Sequence, residues 1–202
     1  MGALSKLEAV NRILRSAGEF PVNSLLSVSN DTLMAETVLD EQVLYHNMEG
    51  TLQNTFYTTL KPDSNGKILL GDNVLHIETV GSKSPALVTT RGSNPTYLFD
   101  IGDNTDVFTE SVEVQQVLRL DFEDLPTPDQ FSVVDTSARL YQMQTVGDVN
   151  QDSLLAQQQM MSIARARQAD TRQRKANFLF GANENPYRAR WTLSRSDNPR
   201  LG

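Results

Sequence analysis

The spacing of apolar residues divides the chain into a helical start, a β-like middle and a helical end. Apolar residues recur every three to four positions from Leu7 to Ala17, which predicts a first helix capped by Ser5 and stopped by Gly18. A second run of the same period, over residues 31–48, predicts a second helix.

The middle of the chain, from about residue 54 to residue 122, has an apolar period of two and turn residues at roughly eight- to twelve-residue intervals, a pattern typical of a small antiparallel sandwich or barrel. The Asp-Ser-Asn-Gly stretch at 63–66 predicts a tight hairpin between strands over 56–61 and 67–70, because Asn-Gly accepts positive φ at low cost. The last strand is predicted to bury a face that carries Val112, Val114, Leu118, Leu120 and Phe122.

A third helix is predicted directly after the β region. Pro126 and Pro128 end the last strand, because each removes a backbone donor and disfavours helix in the residue before it. Thr127 then fits the N-cap, Pro128 the first helical position and Gln130 the reciprocal position of a capping box. Gly147 is expected to end this helix.

The final helix is predicted over residues 151–177 and changes character half-way. Its first half carries an apolar stripe that includes Met160 and Ile163. Its second half, residues 170–177, is polar on every side, so in an isolated monomer it would fray unless another chain held it. The alternating pattern over 187–194 is more typical of a docking strand than of a core element.

The order helix, helix, sheet, helix, helix predicts an α+β protein. We expect four parts along the chain: a first helical part over residues 1–50, an inserted β domain over 51–125, a second helical part over 126–180 and a C-terminal docking tail over 181–202.

Composition narrows the functional classes. The chain is 39% hydrophobic and 21% charged, as in an ordinary soluble globular protein, and no apolar run approaches the length of a membrane span. The absence of cysteine excludes disulfides, thiolate nucleophiles and zinc fingers, and the two histidines, His46 and His76, offer little for a histidine-based centre. We therefore expect no cofactor, no metal site and no catalytic site.

Charge is distributed unevenly. The first 150 residues hold nine basic and 21 acidic side chains, a net charge of −12, whereas the remainder holds nine basic and four acidic, a net charge of +5. This asymmetry favours either an acidic partner for the C-terminal quarter or head-to-tail packing of copies, and a solvated basic helix remains an equal alternative.

Motifs for known chemistry are weak. Gly81-Ser82-Lys83-Ser84 resembles the end of a phosphate loop, but His76 stands where the first glycine is required. Neither a dinucleotide-binding glycine motif nor a nucleophile elbow occurs. Asp100, Asp103 and Asp106 lack the loop spacing of a calcium site, so we interpret them as part of a surface turn.

A β-sandwich hydrolase or a carbohydrate-binding module is the alternative from another functional class, because any two of the 25 acidic residues could face each other across a cleft. Glu78, Glu110 and Glu113 would be arbitrary candidates. Sugar sites usually use exposed aromatic residues. The aromatic residues of the β region occupy alternating positions that suit a core instead, namely Phe56, Tyr57, Tyr97, Phe99 and Phe108.

Several separated blocks of the chain together carry a resemblance to a known family. The most specific block is the leading helix, with Ala9-Val10-Asn11, Gly18-Glu19 and Pro21-Val22. The other blocks are KPDSNGKILLGDNVLHIE, PTYLFDIGDNTDVF and VLRLDFEDLPTPDQFSVVDTSARLYQ. These blocks resemble the tail tubular protein A family of short-tailed bacteriophages. The chain departs from the family at Gly71, where proline is frequent in the turn.

This resemblance implies a non-enzymatic adaptor, or gatekeeper, that forms a ring of twelve copies between the capsid portal and the tail nozzle, tail tubular protein B. It implies a four-helix-type bundle with an antiparallel β-sandwich or barrel inserted between the second and third helices, and an extended C-terminal tail. Double-stranded DNA would pass through the ring without specific binding, and in some relatives tail fibres attach near the nozzle. The protein would be made in the host bacterial cytoplasm and reside at the virion neck, away from any membrane. A head-completion connector of long-tailed phages is the alternative within the structural class.

Two sets of residues are expected to make these contacts. The basic part of the last helix would meet neighbouring copies through Arg165, Arg172, Arg174 and Lys175. Aromatic and arginine side chains contribute most of the energy at interfaces. The portal is therefore expected to bind Phe178, Phe180, Arg188, Arg190 and Trp191.

Overall fold

A computed structural model describes residues 3–26, 29–80, 88–92 and 95–181, the side chains of residues 175–181 excepted. In this part of the chain the protein has four α-helices and six strands in the predicted order, so the α+β class is confirmed. The described strands form two three-stranded antiparallel sheets and no closed barrel. The elements are α1 (Lys6–Ser16), α2 (Asn30–Met48), β1 (Thr55–Leu60), β2 (Leu69–Leu70), β3 (Val74–Thr79), β4 (Val88–Arg91), β5 (Thr96–Asp100), β6 (Val112–Leu118), a 3-10 turn (Phe122–Asp124), α3 (Thr127–Thr145) and α4 (Val149–Gly181).

The chain divides into two compact units. The helical unit comprises Met1–Asn54 and Leu118–Asp170, and the β unit comprises Thr55–Val117 together with the chain from Thr171 onward. The helical unit is therefore discontinuous in sequence, since the β strands separate α1 and α2 from α3.

α1 begins and ends as its sequence predicts. The Ser5 hydroxyl accepts the N–H of Glu8 at 3.3 Å, and the Glu8 carboxylate accepts the N–H of Ser5 at 2.9 Å, which completes a capping box. The Ser5 N–H and, at 3.0 Å, the Ser5 hydroxyl donate to the Glu8 carboxylate and hold its pKa below the ordinary value. Gly18 follows the helix with φ +80°, the left-handed conformation that stops it.

One apolar cluster fills the space between α1, α2 and α3. Ile13, Leu14, Leu39 and Tyr141 are its largest fully buried side chains. Burial of each aliphatic member contributes on the order of 1.5–3 kcal/mol. No α4 side chain among the described residues belongs to this cluster. Its other members are Ala9, Val10, Ala35, Val43, Phe122, Leu125, Val133, Val134 and Ala138.

Gln130 does not complete a capping box at the start of α3. Pro126 occupies the N-cap position, and no side-chain cap is present. Gln130 is instead fully buried, where its side chain accepts the N–H of Leu4 at 2.9 Å and donates to the backbone oxygen of Phe122 at 3.0 Å. The predicted cap is wrong because these distant backbone groups, which the core excludes from water, bind the same side chain.

Two buried asparagines join the points where the chain leaves and re-enters the helical unit. Asn54 Nδ2 donates to the backbone oxygens of Asn47 at 2.8 Å and Leu118 at 3.0 Å. Asn47 Nδ2 donates to the backbone oxygen of Leu120 at 2.9 Å, and the N–H of Leu118 donates to the backbone oxygen of Asn54 at 2.8 Å. We call Asn47, Asn54, Leu118 and Leu120 the asparagine clasp.

The turn at residues 63–66 forms, but its flanking strands do not pair with each other. Asp63 Oδ1 accepts the N–H groups of Asn65 at 2.8 Å and Lys67 at 2.9 Å, and Gly66 has φ +79°. β1 pairs with β6, however, and β2 pairs with β5. The predicted hairpin is wrong because turn chemistry is local, whereas the choice of partner strand is not.

The two sheets of the β unit share one apolar cluster. Their strand orders are β1-β6-β3 and β2-β5-β4. Every strand except β1 contributes a buried side chain to the cluster, and Leu60 of β1 packs against it. Its buried members are Ile68, Leu70, Ile77, Val88, Leu98, Phe108, Val112 and Val114.

The last strand is shorter than its sequence pattern predicts. Val112 and Val114 are buried in the β unit as expected. β6 ends at Leu118, however, because the asparagine clasp bonds the backbone of Leu118 and Leu120 in place of a partner strand. Phe122 lies in the 3-10 turn and joins the core of the helical unit.

The aromatic residues of the β unit are only partly in its core. Phe108 is buried, whereas Phe56 and Tyr57 on β1 are each 43% exposed, so the predicted burial is wrong for these two. Phe99 is half-buried, and the Arg91 guanidinium lies 4.1 Å from the centre of its ring. Alternation along these strands thus indicates the face of the sheet on which a residue lies, but not how much of its side chain is buried.

Candidate interaction surfaces

Polar side chains join α4 to α3 within the helical unit. The Arg139 guanidinium binds both carboxylate oxygens of Asp152, at 2.6 and 3.1 Å, and donates a further hydrogen bond to Gln159 Oε1 at 2.9 Å. The ion pair lowers the pKa of Asp152. Gln158 Nε2 donates to Asp135 Oδ1 at 2.8 Å. α4 is therefore positioned by directed hydrogen bonds, which fix its register along α3.

The apolar stripe predicted for α4 is only partly buried. The side that α4 turns inward is centred on Ser162 and Ala166, which are buried, with Leu155 and Ile163 half-buried beside them. Met160 is 70% exposed, so its predicted burial is wrong. Gln159 faces inward, where it bonds Thr136 of α3. Successive residues of a helix are about 100° apart, so Met160 points away from α3.

A groove of about 550 Å³ lies between α1, α3 and α4. Both charged and apolar side chains line it, and Leu154 and Met161 of α4 are more than half exposed. An exposed apolar surface with a few convergent charges is typical of an interaction site. We call this the α1/α3/α4 groove; its characteristic residues are Arg12, Phe131, Asp135, Leu154, Met161 and Arg165.

The charges in this groove are unevenly matched. The Arg12 guanidinium lies 4.8 Å from the centre of the Phe131 ring, and its buried Nη1 atom has no hydrogen-bond partner among the described residues. Burial raises the pKa of Asp135, and hydrogen bonds from Ser162 and Gln158 together with the charges of Arg12 and Arg165 oppose that rise. Two guanidiniums therefore face one carboxylate that already has partners.

The exposed side of α2 is a second surface with an apolar character. Leu33, Met34, Tyr45 and Met48 are between 37% and 61% exposed. At about 100° per residue, their positions along α2 fall within about a third of the helix circumference, so they share one face. We call this surface the α2 face; it consists of Leu33, Met34, Thr37, Glu41, Tyr45 and Met48.

The structure places only some of the predicted contact residues. Arg165 lies at the α1/α3/α4 groove, and Arg172 and Arg174 are exposed farther along α4, which continues as a helix to Gly181. The predicted residues whose side chains lie outside the described part of the chain are Lys175, Phe178, Phe180, Arg188, Arg190 and Trp191.

Sequence patterns did not identify Arg12, Phe131 or Asp135 as surface residues that act together. They come from α1 and α3, more than a hundred positions apart, and meet only in the folded helical unit. The α2 face did leave a signal. α2 carries apolar residues on its exposed side as well as on its buried side, which is more than one core requires.

The acidic residues that the sequence singled out form no metal cluster in the described part of the chain. No group of three or more histidine, aspartate and glutamate side chains in that part of the chain could hold a metal ion. Asp100 accepts the N–H of Gly102 at 2.8 Å, and Asp106 pairs with Lys67 at 2.9 Å, so these acids stabilise a turn. None of the helices described has the length and hydropathy needed to cross a membrane.

Comparison with known protein families identifies a match. A family model described as tail tubular protein matches residues 7–176, a range that contains residues of both units. No curated protein matches the chain.

Proposed function

Because the chain belongs to the tail tubular protein family of bacteriophages, whose members are structural components of the virion tail, we propose that it is the adaptor that joins the capsid portal to the tail nozzle. In this proposal twelve copies form a closed ring at the virion neck, and the ring is part of the DNA ejection channel. The proposal retains the four parts of the chain expected from its sequence, with residues 181–202 as a docking tail.

The observation that carries this proposal is the family match over residues 7–176, and the two uncovered surfaces of the helical unit support it. The α1/α3/α4 groove and the α2 face both expose apolar side chains that one copy leaves uncovered. Two different surfaces on one protomer suit a heterologous contact, in which each copy binds two neighbours and the chain of copies closes into a ring.

Charge supports a role in DNA passage. The first 150 residues carry a net charge of −12. An acidic wall repels the phosphate backbone, so a duplex can slide past without binding. The basic C-terminal quarter, with its net charge of +5, would face the portal or the next copy. Under this proposal Phe178, Phe180, Arg188, Arg190 and Trp191 bind the portal, and the nozzle and tail fibres attach at the opposite side of the ring.

Native mass spectrometry and electron microscopy of the protein mixed with the portal of its phage test the proposal. We expect a portal complex that carries one ring of twelve copies. A protein that remains monomeric and does not bind the portal would contradict the adaptor role. Cleavage of a polysaccharide by that monomer would favour the hydrolase alternative.

Removal of residues 182–202 tests the docking tail. We expect the truncated protein to remain folded, because the core clusters of both units lie outside this segment, and to lose portal binding. A matched control removes residues 200–202 only and is expected to bind normally. Unchanged portal binding by the longer truncation, measured by co-sedimentation, would assign docking to another part of the chain.

A further inference from the structure

We propose that the α2 face of one copy docks in the α1/α3/α4 groove of the next copy, with Glu41 of the first copy beside Arg12 and Arg165 of the second. This inference rests on the ring assembly proposed above and names the two surfaces that form it.

The two surfaces lie on opposite sides of α3, which is the arrangement that a head-to-tail contact requires. Asp135 lines the α1/α3/α4 groove, and Gln144 borders the α2 face. Nine residues separate Asp135 from Gln144. Nine residues are two and a half turns of an α-helix, so these two side chains point to opposite sides of α3. A copy can therefore receive one neighbour at the groove and present its α2 face to another.

The charges of the two surfaces complement each other. The groove has Arg12, whose buried Nη1 has no partner among the described residues, and the exposed Arg165. The α2 face has one charged residue, Glu41, which is exposed. Two other acids of α2, Glu36 and Asp40, already bind Lys6 at 2.8 and 2.9 Å. A carboxylate that enters the groove would pair with the exposed guanidinium of Arg165 and be attracted by the positive charge of Arg12.

Both surfaces also have an apolar part. Leu154 and Met161 line the groove together with Phe131, and the α2 face presents Leu33 and Met34 on the N-terminal side of Glu41 and Tyr45 one turn after it. An interface with an apolar centre and one complementary charge pair is stable only when the pair is made, because an unpaired charge would be buried on either side.

Charge reversal tests this contact. We expect Glu41→Arg and Arg165→Glu each to raise the protein concentration needed for half-maximal ring assembly by about tenfold or more, because each places like charges opposite each other. A mixture of the two single variants should assemble like the wild type. In an alternating ring the introduced arginine of one variant meets the introduced glutamate of the other, and the unchanged Glu41 and Arg165 meet at the next contact. Sedimentation velocity and native mass spectrometry, with and without portal, report the assemblies.

Two controls make the same charge changes elsewhere. Glu110→Arg and Lys61→Glu alter exposed residues of the β unit and are expected to leave assembly unchanged. Circular dichroism checks that all four variants are folded, which is expected because each substituted side chain is exposed. Normal assembly by both single reversals, or no rescue in the mixture, would overturn this contact. The ring assembly itself would stand, with other surfaces forming it. Loss of portal or nozzle binding with intact self-assembly would assign the surfaces to that partner instead.

Disulfide cross-linking gives an independent measurement, because the chain has no cysteine. A variant with Thr37→Cys on the α2 face and Gln157→Cys beside the groove should form a ladder of covalent multimers on oxidation. The control with Thr37→Cys and Ser64→Cys should not, since Ser64 lies on a turn of the β unit. A wild-type protein that assembles neither alone nor on the portal would overturn the proposed function as well as this contact.

Discussion

Gln130 shows how much one polar side chain can contribute inside an apolar core. It bonds backbone groups of Leu4 and Phe122 that lie before α1 and before α3. Replacing it with alanine leaves these groups buried without partners, so we expect Gln130→Ala to lower the free energy of unfolding by about 1–3 kcal/mol. Urea unfolding followed by circular dichroism measures this loss. Gln144→Ala, at an exposed position of the same helix, should change stability by less than about 0.5 kcal/mol, and equal losses would contradict the role of Gln130.

Asp135 should make stability depend on pH in an unusual direction. Burial raises its pKa in the folded protein, which means that the carboxylate is less favourable there than in the unfolded chain. The ionised carboxylate therefore lowers the free energy of unfolding at neutral pH. This loss disappears as pH falls through the raised pKa toward the ordinary value of 3.8, because the carboxyl becomes protonated. We expect Asp135→Asn to raise the thermal midpoint at pH 7, with a smaller gain at pH 4. A lower midpoint at pH 7, with Asp72→Asn as the exposed control, would contradict this sign.

Two glycines that follow or form turns allow the cost of a left-handed backbone conformation to be distinguished from the cost of a steric contact. Gly18 and Gly66 both have φ near +80°, but a Cβ at Gly18 would meet nothing within 4 Å, whereas one at Gly66 would lie 2.7 Å from Val107 Cγ1. We expect Gly18→Ala to cost about 1–2 kcal/mol from backbone conformation alone. Gly66→Ala should cost more, because Val107 must also move. Calorimetry of both variants measures the difference, and a smaller loss for Gly66→Ala would contradict the role of the steric contact.

Elements whose signals are local could be predicted from sequence, and their partners could not. The Ser5 capping box and the left-handed Gly18 depend on residues within one helix, and both are present. The turn at 63–66 also forms, yet its strands pair with β6 and β5, because pairing is decided by apolar faces that close the whole β unit. The Gln130 spacing fitted a capping box, but its partners lie in other parts of the chain.

At the scale of the whole molecule, the sequence indicated that the chain has uncovered surfaces but not where they are. The excess of basic residues after residue 150 was the reason for predicting Arg165 as a contact residue, and Arg165 lies at the α1/α3/α4 groove. The rest of the groove could not be predicted, because Arg12 and Asp135 converge only when α1 packs on α3. The α2 face was not predicted, because the three- to four-residue period that locates α2 does not show that apolar residues also lie on its exposed side.

The asparagine clasp predicts that the helical unit can fold without the β unit. The backbone N–H of Leu118 lies 2.8 Å from the oxygen of Asn54, so the chain leaves and returns at adjacent points. We expect a variant in which a short glycine-serine linker replaces Thr55–Val117 to retain its helical circular dichroism and to unfold cooperatively. The same variant with Asn54→Ala should be less stable. A linker variant without a cooperative transition would show that the helical unit depends on the β unit.

The discontinuous helical unit also has a consequence for the order in which the protein forms during synthesis. The hydrogen bond between Leu4 and Gln130 spans 126 residues, so the ribosome must release the entire β unit before the core of α1, α2 and α3 can close. The β strands are continuous in sequence and can collapse earlier. Their collapse shortens the effective loop between α2 and α3 and lowers the entropy lost when the helices meet. Nascent chains arrested before Thr127 should therefore hold a compact middle and an unclosed N-terminal pair of helices.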